Sequence, residues 1–513
     1  MPSSLRVAFV LLLGICATLW SEVGVVAEGE LAAEQVLRIG TEAGFTTLDP
    51  HMTSIVVDHS VIQHVYSALF RYDWPTGEIV PDLCTSWEVS EDGLVYVFHL
   101  RQGVKWHKGY GEFTAHDVKY SMERVVDPAA ATRFAVEFAL ITDITVLDDY
   151  TVQLTLKQPY ASLLHKLTAF RQGFIVNRKA VEEFGAEFGR NPIGTGPFVF
   201  EEWVPQTRVV LTANPDYYAG PPILQKLIFT MIAEPATRQM ALETKAVDVM
   251  EVGDATTYRV LKENPEITVK RVPSTMYAAI GINTTVAPFT DVRVRQALAY
   301  AIDKDEIVDT VLTDIAVRAD TIVPPSFPGY TTDLFIYDYD PARARELLAE
   351  AGYASGFETS IQYARLSASG TFHEAMIPIQ QYWAAVGVKL NLELVDSATW
   401  SKLLGTDSVA LSYAGLSRPP DVDMLMIYWD KAGSLNFINY DVQALIDAGR
   451  IETDPEARAA IYADFQRRLA ADVPIIPLFY PYQMLAMQNY VRNMEVDLLR
   501  GFWAYEVFIE AHE

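Results

Sequence analysis

Cysteine is almost absent from this chain of 513 residues, which contains two, Cys16 and Cys84. Cys16 lies in an N-terminal segment that we expect to be removed, so the mature chain keeps a single thiol and cannot form an internal disulfide. A compact zinc site built from clustered cysteines is excluded for the same reason. Stability must therefore come from burial of apolar side chains, and we predict that Cys84 is itself a small buried residue.

The sequence also lacks a long uncharged apolar run and an excess of basic residues. Its longest apolar stretch, from Val7 to Trp20, is shorter than the roughly 20 residues that a membrane-spanning helix needs. Lysine and arginine number 40 against 66 aspartates and glutamates, which gives a net charge of -26. Such a field repels phosphate backbones and anionic lipid, so we expect no nucleic-acid partner.

The N-terminal segment has the pattern of a secretory signal peptide, which we assign to residues 1–27. Arg6 precedes the apolar stretch, and the small-residue ending Val25-Val26-Ala27 marks the expected cleavage site. The mature protein is thus predicted to be periplasmic or otherwise extracytoplasmic. Membrane anchoring as a lipoprotein through Cys16 is the alternative, although Ile15 fits poorly where a small residue is expected.

Motifs of the common enzyme classes are missing. The sequence has no G-x-S-x-G elbow, no HExxH, no Walker loop and no G-x-G-x-x-G, and the run Gly194-Thr195-Gly196-Pro197 reads as a turn. We therefore expect a protein that is not an enzyme. A secreted hydrolase that uses a carboxylate pair stays open as an alternative, because a sequence cannot place two acids ~5 to 10 Å apart.

Histidines, which are common metal ligands, recur at His51, His59, His64, His107 and His116. None of these spacings matches the helical HxxxH type or another compact ligand set. We predict no metal and no cofactor.

Half of the residues are apolar and 12% are aromatic, which is typical of a well-packed globular protein of about three structural units. Strand and helix patterns alternate along the chain. Residues 388–394 alternate apolar and polar side chains, as in a half-buried strand. A helical pattern from Phe372 to Val386 precedes them, with Gly387 as its stop signal. Pro378 lies inside that pattern, so the helix either starts or kinks there. These patterns predict an α/β protein.

Four helix starts are marked by capping residues. Asp340-Pro341 and Asp454-Pro455 place an N-cap before a proline that the first turn tolerates. Thr114 with Asp117 three residues later resembles a capping box, and Asp291 precedes a further helical pattern.

Several segments together resemble the family 5 extracellular solute-binding proteins, the peptide-, nickel- and opine-binding subunits of ABC importers. Together these segments cover nearly the whole mature chain in the family's order. They are Thr47-Leu48-Asp49-Pro50, the run from Val97 to His107, Thr114 to Val118, Gly194 to Phe198, Ala213 to Tyr218, Asn283 with Asp291 to Leu298, and Ile476 to Tyr480.

The resemblance implies a two-lobed periplasmic-binding-protein fold of type II, in a large variant with an extra subdomain in the first lobe. Lobe I would comprise 35–60, 190–272 and 487–513, the extra subdomain 61–189, and lobe II 273–486. The protein would act as a monomer that closes around a small solute, a peptide or similar molecule, and delivers it to the permease and ATPase subunits of an ABC transporter. A receptor or chaperone without transport function on the same fold is a further alternative.

Residues that would face the solute follow from the same resemblance. The ligand-binding candidates are Thr46, Thr47, Tyr277, Asn283, Arg365, Trp400, Tyr413, Arg418, Asp421 and Asp423.

Two arginines among these candidates bear on the chemistry of the solute. Arg365 falls near the position where dipeptide-binding relatives hold the ligand's carboxylate, and a surface or interdomain salt bridge is the equal alternative. Arg418 stands where peptide-binding relatives have an aspartate for the ligand's amino group. Either Asp421 or Asp423 takes over that ammonium, or the solute has no free amine and is anionic or sugar-like.

Overall fold

The computed structural model describes residues 30–53, 55–73, 76–130, 132, 134–364, 369–403, 406, 408–428, 439–499 and 501–512, so the predicted signal peptide lies outside the described residues. The described strands are β1 Val36–Thr41, β2 Phe70–Asp73, β3 Glu78–Pro81, β4 Cys84–Val89, β5 Val95–Leu100, β6 Ile141–Asp148, β7 Thr151–Leu156, β8 Phe198–Val204, β9 Arg208–Ala213, β10 Lys226–Met231, β11 Val249–Glu251, β12 Ile267–Pro273, β13 Met276–Ile282, β14 Ala316–Arg318, β15 Phe357–Ala364, β16 Val388–Val395, β17 Leu411–Ser417, β18 Ile475–Gln488, β19 Val491–Arg492, β20 Val496–Asp497, β21 Gly501–Phe502 and β22 Phe508–Ile509. The described α-helices are α1 Val56–Val65, α2 Ala115–Val126, α3 Leu163–Lys166, α4 Arg178–Phe184, α5 Pro235–Glu243, α6 Ala255–Lys262, α7 Val292–Tyr300, α8 Lys304–Glu306, α9 Pro341–Glu350, α10 Ser369–Ala385, α11 Ser397–Leu403, α12 Tyr440–Ile451 and α13 Pro455–Asp472.

The chain divides into two units, each of which mixes helices and strands as predicted. Unit 1 comprises Met1–Glu251, Asn264–Lys270 and Leu485–Glu513, and unit 2 comprises Val252–Glu263 and Arg271–Met484. The lobe boundaries inferred from the sequence, including the separate subdomain at 61–189, stay a prediction.

Unit 1 is built around a sheet with parallel strands at its centre. Strand β1 lies between β10 and β11 and is parallel to both, and β9 and β8 extend the β10 side in antiparallel fashion. The end of β18 pairs with β11 on the other side. Leu37 and Ile39 are buried at 0% and 4% exposure, which anchors β1 in the core. The loop that leaves β1 carries the candidates Thr46 and Thr47.

A second, antiparallel sheet of unit 1 has the order β4-β5-β7-β6. Cys84, at the start of β4, is fully buried, which confirms the sequence prediction. Burial raises the pKa of its thiol to about 12. Helix α2 begins with the predicted capping box, in which Thr114 and Asp117 satisfy each other's backbone groups.

Unit 2 contains a sheet in the order β16-β15-β17-β13, continued by the first residues of β18. Strands β16, β15 and β17 are parallel, whereas β13 is antiparallel to β17 and to β18. Strand β16 spans Val388–Val395, which confirms the strand predicted there. The sheet buries its apolar side chains against α12 and α13, with Ala279, Ile446 and Phe465 at 0% exposure.

Helix ends in unit 2 follow the capping rules read from the sequence. The side chain of Asp340 accepts hydrogen bonds from the backbone of Ala342 and Arg343 at 3.1 and 2.9 Å. Asp454 and Asp291 cap α13 and α7 in the same way. Helix α10 begins at Ser369 and continues through Pro378, so the alternative in which it starts at that proline is wrong. Gly387 follows it with φ of 91°, as a left-handed stop residue should.

None of the helices in the described part of the chain combines the length and the apolar composition that crossing a bilayer requires.

Candidate ligand-binding site

Three of the sequence candidates follow the carboxyl ends of three neighbouring strands in unit 2. Arg365 comes after β15, Trp400 lies in α11 after β16, and Arg418 comes directly after β17. Because these strands are parallel, their carboxyl ends meet at one edge of the sheet, which we call the carboxyl edge. Open α/β sheets bind their ligands at that edge. Arg365 itself lies outside the described residues.

The antiparallel strand β13 separates two further candidates. Tyr277, near its start, is paired with Leu416 and so lies at the carboxyl edge. Asn283 follows the end of the strand, roughly 20 Å away at about 3.4 Å per residue. Its amide donates to the carbonyl of Val409 at 3.2 Å, and its oxygen accepts from the backbone of Thr285 at 3.0 Å. The structure therefore does not bring Asn283 together with the other candidates.

The two tyrosine candidates are buried in unit 2. Tyr277 is 0% exposed and belongs to the core under the sheet. Tyr413 is 4% exposed and packs edge-on against Phe372, with ring centroids 4.6 Å apart. Its hydroxyl occupies the space over Gly415, where an added Cβ would come within 1.9 Å. Both tyrosines therefore act as packing residues in the interior of unit 2.

Both candidate aspartates after β17 are held in ion pairs by arginines of the last two helices of unit 2. Asp421 is 2% exposed and accepts two hydrogen bonds from Arg458, at 2.6 and 2.9 Å. Asp423 is 5% exposed and accepts from Nε of Arg450 at 2.8 Å. The sequence could not reveal these pairs, because the arginines lie 37 and 27 residues further along the chain.

The pKa of Arg458 shows how tightly this pair is held. Burial alone would lower the pKa of a guanidinium, but the hydrogen bonds and charge of Asp421 outweigh it and raise the pKa above its ordinary value. Arg458 also donates to the carbonyl of Gly449 at 2.8 Å and lies 5.1 Å from the ring centroid of Tyr462. Asp421 is thus committed to holding helix α13 against the segment after β17.

Arg418 differs from both of these arginines. It is 6% exposed, and its Nε is buried without a hydrogen-bond partner. No residue in the described part of the chain provides its guanidinium with a carboxylate. A buried donor without a partner is costly, because it has lost its hydration without gaining a hydrogen bond.

Nε1 of Trp400, after β16, is also buried without a partner among the described residues. Oε1 of Gln362 on β15 is in the same condition, and its amide nitrogen donates to Glu393 at 2.9 Å. Gln362 is paired with Ser412, however, and so lies roughly 20 Å from the level of Arg418 at about 3.3 Å per residue. Like Asn283, it is not brought together with Arg418.

In unit 1, the candidates Thr46 and Thr47 follow the carboxyl end of β1. The backbone nitrogen and hydroxyl of Thr46 both donate to Asp58, at 2.8 and 2.6 Å. Burial raises the pKa of Asp58, and these hydrogen bonds oppose the rise. Oγ1 of Thr47 accepts from the backbone of Asp49 at 3.1 Å. Thr46 therefore ties this loop to Asp58 of α1, and Thr47 stabilises the turn that follows it.

Histidines weighed as metal ligands have structural partners in unit 1. Nδ1 of His51 accepts from Arg124 at 2.9 Å, so its Nε2 donates to the carbonyl of Phe174, also at 2.9 Å. Nδ1 of His64 contacts the carbonyl of Ser60 at 2.9 Å. Across the described ranges, no group of three or more histidine, cysteine, aspartate or glutamate side chains is placed to hold a metal ion.

His107 binds the loop that carries the Gly194 to Pro197 run. Its Nε2 donates to the carbonyl of Gly196 at 2.9 Å, and its backbone nitrogen donates to the carbonyl of Gly194 at 2.9 Å. A Cβ on either glycine would come within 1.9 or 2.5 Å of backbone carbonyl oxygens of Val65 and His64. The two motifs are thus one structural contact in which only glycine fits.

Residues 78–436 match the family described as bacterial extracellular solute-binding proteins, family 5 Middle. The chain belongs to this family. Among its relatives, the glutathione-binding protein GsiB of Pectobacterium atrosepticum is 29% identical over 87% of this chain and 88% of its own. DppA of Helicobacter pylori, solved with the peptide STSA, is 27% identical with a TM-score of 0.83 over 93% of this chain and 98% of its own. MoaA of A. tumefacien R10, solved with mannopinic acid, is 30% identical with a TM-score of 0.81 over 93% of this chain and 100% of its own.

These likenesses confirm two predictions made from the sequence. The fold is the two-lobed periplasmic-binding-protein fold of type II. The function is that of a family 5 solute-binding protein of an ABC transporter, and the family consists of transport binding proteins.

Proposed function

We propose that this family 5 protein captures an anionic solute at the carboxyl edge of unit 2, where Arg418 binds the acidic group. The observation that carries the proposal is the burial of Arg418, at 6% exposure, without a partner for its Nε in the described residues. A guanidinium offers a planar fork of donors that matches a carboxylate or a phosphate. An anion at this position supplies the missing counter-charge.

Recognition of a free amine by Asp421 or Asp423 receives no support from their contacts. An ammonium would have to displace Arg458 or Arg450 from a short, buried ion pair. Removing one partner of such a pair costs about 3 to 5 kcal/mol. A peptide would therefore be held through its carboxylate and not through its amino terminus.

Trp400, which follows β16, suits a solute with a flat or polar body. It contributes an indole whose Nε1 has no partner among the described residues. Stacking and one or two directed hydrogen bonds are how small-solute sites achieve orientation.

Titration calorimetry tests the proposal with three defined probes: mannopinic acid, glutathione, and the peptide STSA with and without a C-terminal amide. We expect an acidic probe to bind, and amidation of STSA to abolish any binding that the free acid shows. Arg418→Ala should weaken binding by roughly 2 to 5 kcal/mol, since it removes a buried charge anchor.

The matched control is Arg343→Ala, which removes an exposed arginine that pairs with Glu346 at 2.9 Å. It should leave affinity unchanged. Equal affinity for the acid and amide forms of STSA, or unchanged affinity of Arg418→Ala, would refute Arg418 as the anchor.

We further propose that the protein is exported by removal of residues 1–27, acts as a monomer and releases its solute chemically unchanged. Mass spectrometry of the chain recovered from the source bacterium tests the cleavage, and a lipid-modified Cys16 would contradict it. Recovery of an altered solute would instead favour the hydrolase alternative.

A further inference from the structure

A segment of unit 2 from Asp333 to Asp340, which we call the acidic strap, lies outside any helix or strand. Hydrogen bonds nevertheless hold this segment against the rest of unit 2. The hydroxyl of Tyr337 donates to the carbonyl of Ala470 at 3.0 Å, and the backbone of Asp340 donates to the carbonyl of Tyr300 at 2.8 Å. Its exposed side chains are therefore presented on a backbone tied to the body of the unit.

Three large apolar side chains of the strap face solvent. Phe335 is 57% exposed, Ile336 is 39% exposed and Tyr339 is 42% exposed. Single exposed apolar residues are ordinary, whereas several that lie together on a fixed backbone are typical of an interaction surface.

Carboxylates outnumber cations around this apolar patch. Arg318 forms ion pairs with three acids, Asp305, Asp320 and Asp338, and the first and last of these are 64% and 81% exposed. At the other end of the strap, Arg467 is likewise shared between Asp333 and Asp464. The surface therefore carries an excess of negative charge.

A shallow hollow beside the strap is lined by both apolar and acidic side chains. Water can occupy only about 20 Å³ of it, and Phe335, Ile336 and Tyr337 form one wall. Lys304 and Asp320 also line it, and their ion pair is 2.6 Å long. Oδ1 of Asp320 receives the contacts of Lys304 and Arg318, which leaves Oδ2 for an incoming group among the described contacts. An arginine or lysine lying across the mouth would place its stem against the exposed apolar side chains and direct its head to the acid.

We propose that the acidic strap and its hollow dock a basic segment of the membrane permease that receives the solute. Charge decides between this occupant and a second copy of the chain. A copy would bring the field of another net charge of -26, which opposes association, whereas a basic segment is attracted. The proposal does not depend on which solute is carried.

A photo-crosslinker at the strap tests the proposal. Ile336→Cys can be labelled selectively with benzophenone maleimide, because Cys84 is fully buried and burial raises its pKa to about 12. The probe is washed right-side-out membrane vesicles from the source bacterium, mixed with the labelled mature chain. We expect a crosslink to a net-basic extracytoplasmic peptide of an integral ABC permease subunit, identified by mass spectrometry.

The matched control is Ile451→Cys, labelled in the same way. Ile451 is 47% exposed and precedes α13, whereas the strap contacts Ala470 near the end of that helix. The two positions are roughly 25 Å apart along the helix at 1.5 Å per residue. Equal permease crosslinking from both positions, or crosslinking only to a second copy of the chain, overturns the proposal.

Charge reversal provides the second measurement. Asp338→Lys should reduce the crosslinking yield from Ile336→Cys about tenfold at low salt, whereas Glu456→Lys in the first turn of α13 should not. Solute affinity and the thermal midpoint should be the same for both variants, since both carboxylates are exposed. A yield that does not respond to Asp338→Lys contradicts docking of a basic segment.

Discussion

The two units bury polar groups in different ways. Unit 1 encloses four histidines, His51, His59, His64 and His107, whose pKa values burial lowers to about 4, 3, 4 and 4. These rings are neutral at pH 7 and serve as hydrogen-bonding and packing groups. Unit 2 has one histidine, His373, which is not buried, and it encloses charges in pairs, as in Asp421 with Arg458 and Asp423 with Arg450. Unit 1 adds ion pairs of the same kind to its histidines, as in Asp49 with Arg124.

Buried histidines and buried ion pairs offer different possibilities to a charged solute. A neutral ring leaves no charge to be satisfied, so it serves as a framework. A group of buried ion pairs can also include a cation without its anion, which is the role that we propose for Arg418. The same difference predicts that the two units fail under different treatments.

Acidification from pH 7 to pH 5 should have the largest effect, and it should act on unit 1. Each buried histidine has a folded pKa below its ordinary 6.5, so the unfolded chain takes up protons first and stability falls as the pH drops below about 6.5. The loss is about 2 kcal/mol per histidine at pH 5. Asp497 opposes it, because burial raises the pKa of this carboxyl to about 7 and its protonation stabilises the fold. Burial also raises the pKa values of Asp58, Asp82 and Asp117, which act in the same direction as Asp497. We expect the four histidines to outweigh these carboxyls and unit 1 to lose stability.

Peptide-resolved hydrogen exchange at the two pH values, corrected for the intrinsic rate, measures this effect. Amides of β1 and β10 should lose protection, and amides of β15 and β16 should keep theirs. Loss of protection in unit 2 alone would contradict the contrast between the units.

Arg458→Met should be the most damaging single substitution in unit 2. It leaves Asp421 buried at 2% exposure without its bidentate partner, which costs about 3 to 5 kcal/mol. Urea unfolding measures the loss. The double variant Asp421→Asn with Arg458→Met should recover part of it, and a double variant no more stable than the single one would show that the ion pair is not the cause.

Arg418→Met should instead raise the free energy of unfolding of the protein in the absence of solute. Replacing Arg418, whose Nε is buried without a partner among the described residues, by an apolar side chain of similar length should stabilise unit 2 by about 1 to 2 kcal/mol. Affinity for an acidic probe should be lost in the same variant. A destabilised variant would indicate that Arg418 has a structural partner and does not differ from the paired arginines Arg450 and Arg458.

Helix caps should give the smallest effects and should not distinguish the units. Asn177 caps α4 in unit 1 and Asp454 caps α13 in unit 2, by hydrogen bonds of 2.9 and 2.8 Å. Alanine at either position should cost about 1 kcal/mol in urea unfolding, because the lost bond is local. A cost several times larger at one cap would mean that the unit around it depends on that helix end.

Local features of the fold were predictable because their causes lie within a few residues. The capping roles of Asp340 and Asp454 depend on backbone groups two or three positions away, and the strand at Val388–Val395 depends on simple alternation. Helix α10 departs from the local rule at Pro378, where tertiary packing keeps the helix continuous.

The candidate site was less predictable because its contacts connect distant parts of the chain. The roles of Asp421 and Asp423 are decided by arginines on later helices, and no local pattern shows that pairing. Asn283 was selected through the family resemblance, but strand direction places it at the opposite edge of the sheet from Arg418.

The contact between His107 and the glycines at 194 and 196 has a consequence for how this family is classified. These residues belong to the segments that carry the family resemblance, yet they lie in the framework of unit 1 and their described contacts include no candidate for solute recognition. Relatives of this chain are named for, or were solved with, cargoes as different as glutathione, a tetrapeptide and mannopinic acid. Segments of this kind therefore assign an architecture, while the cargo must be deduced from residues elsewhere in the chain.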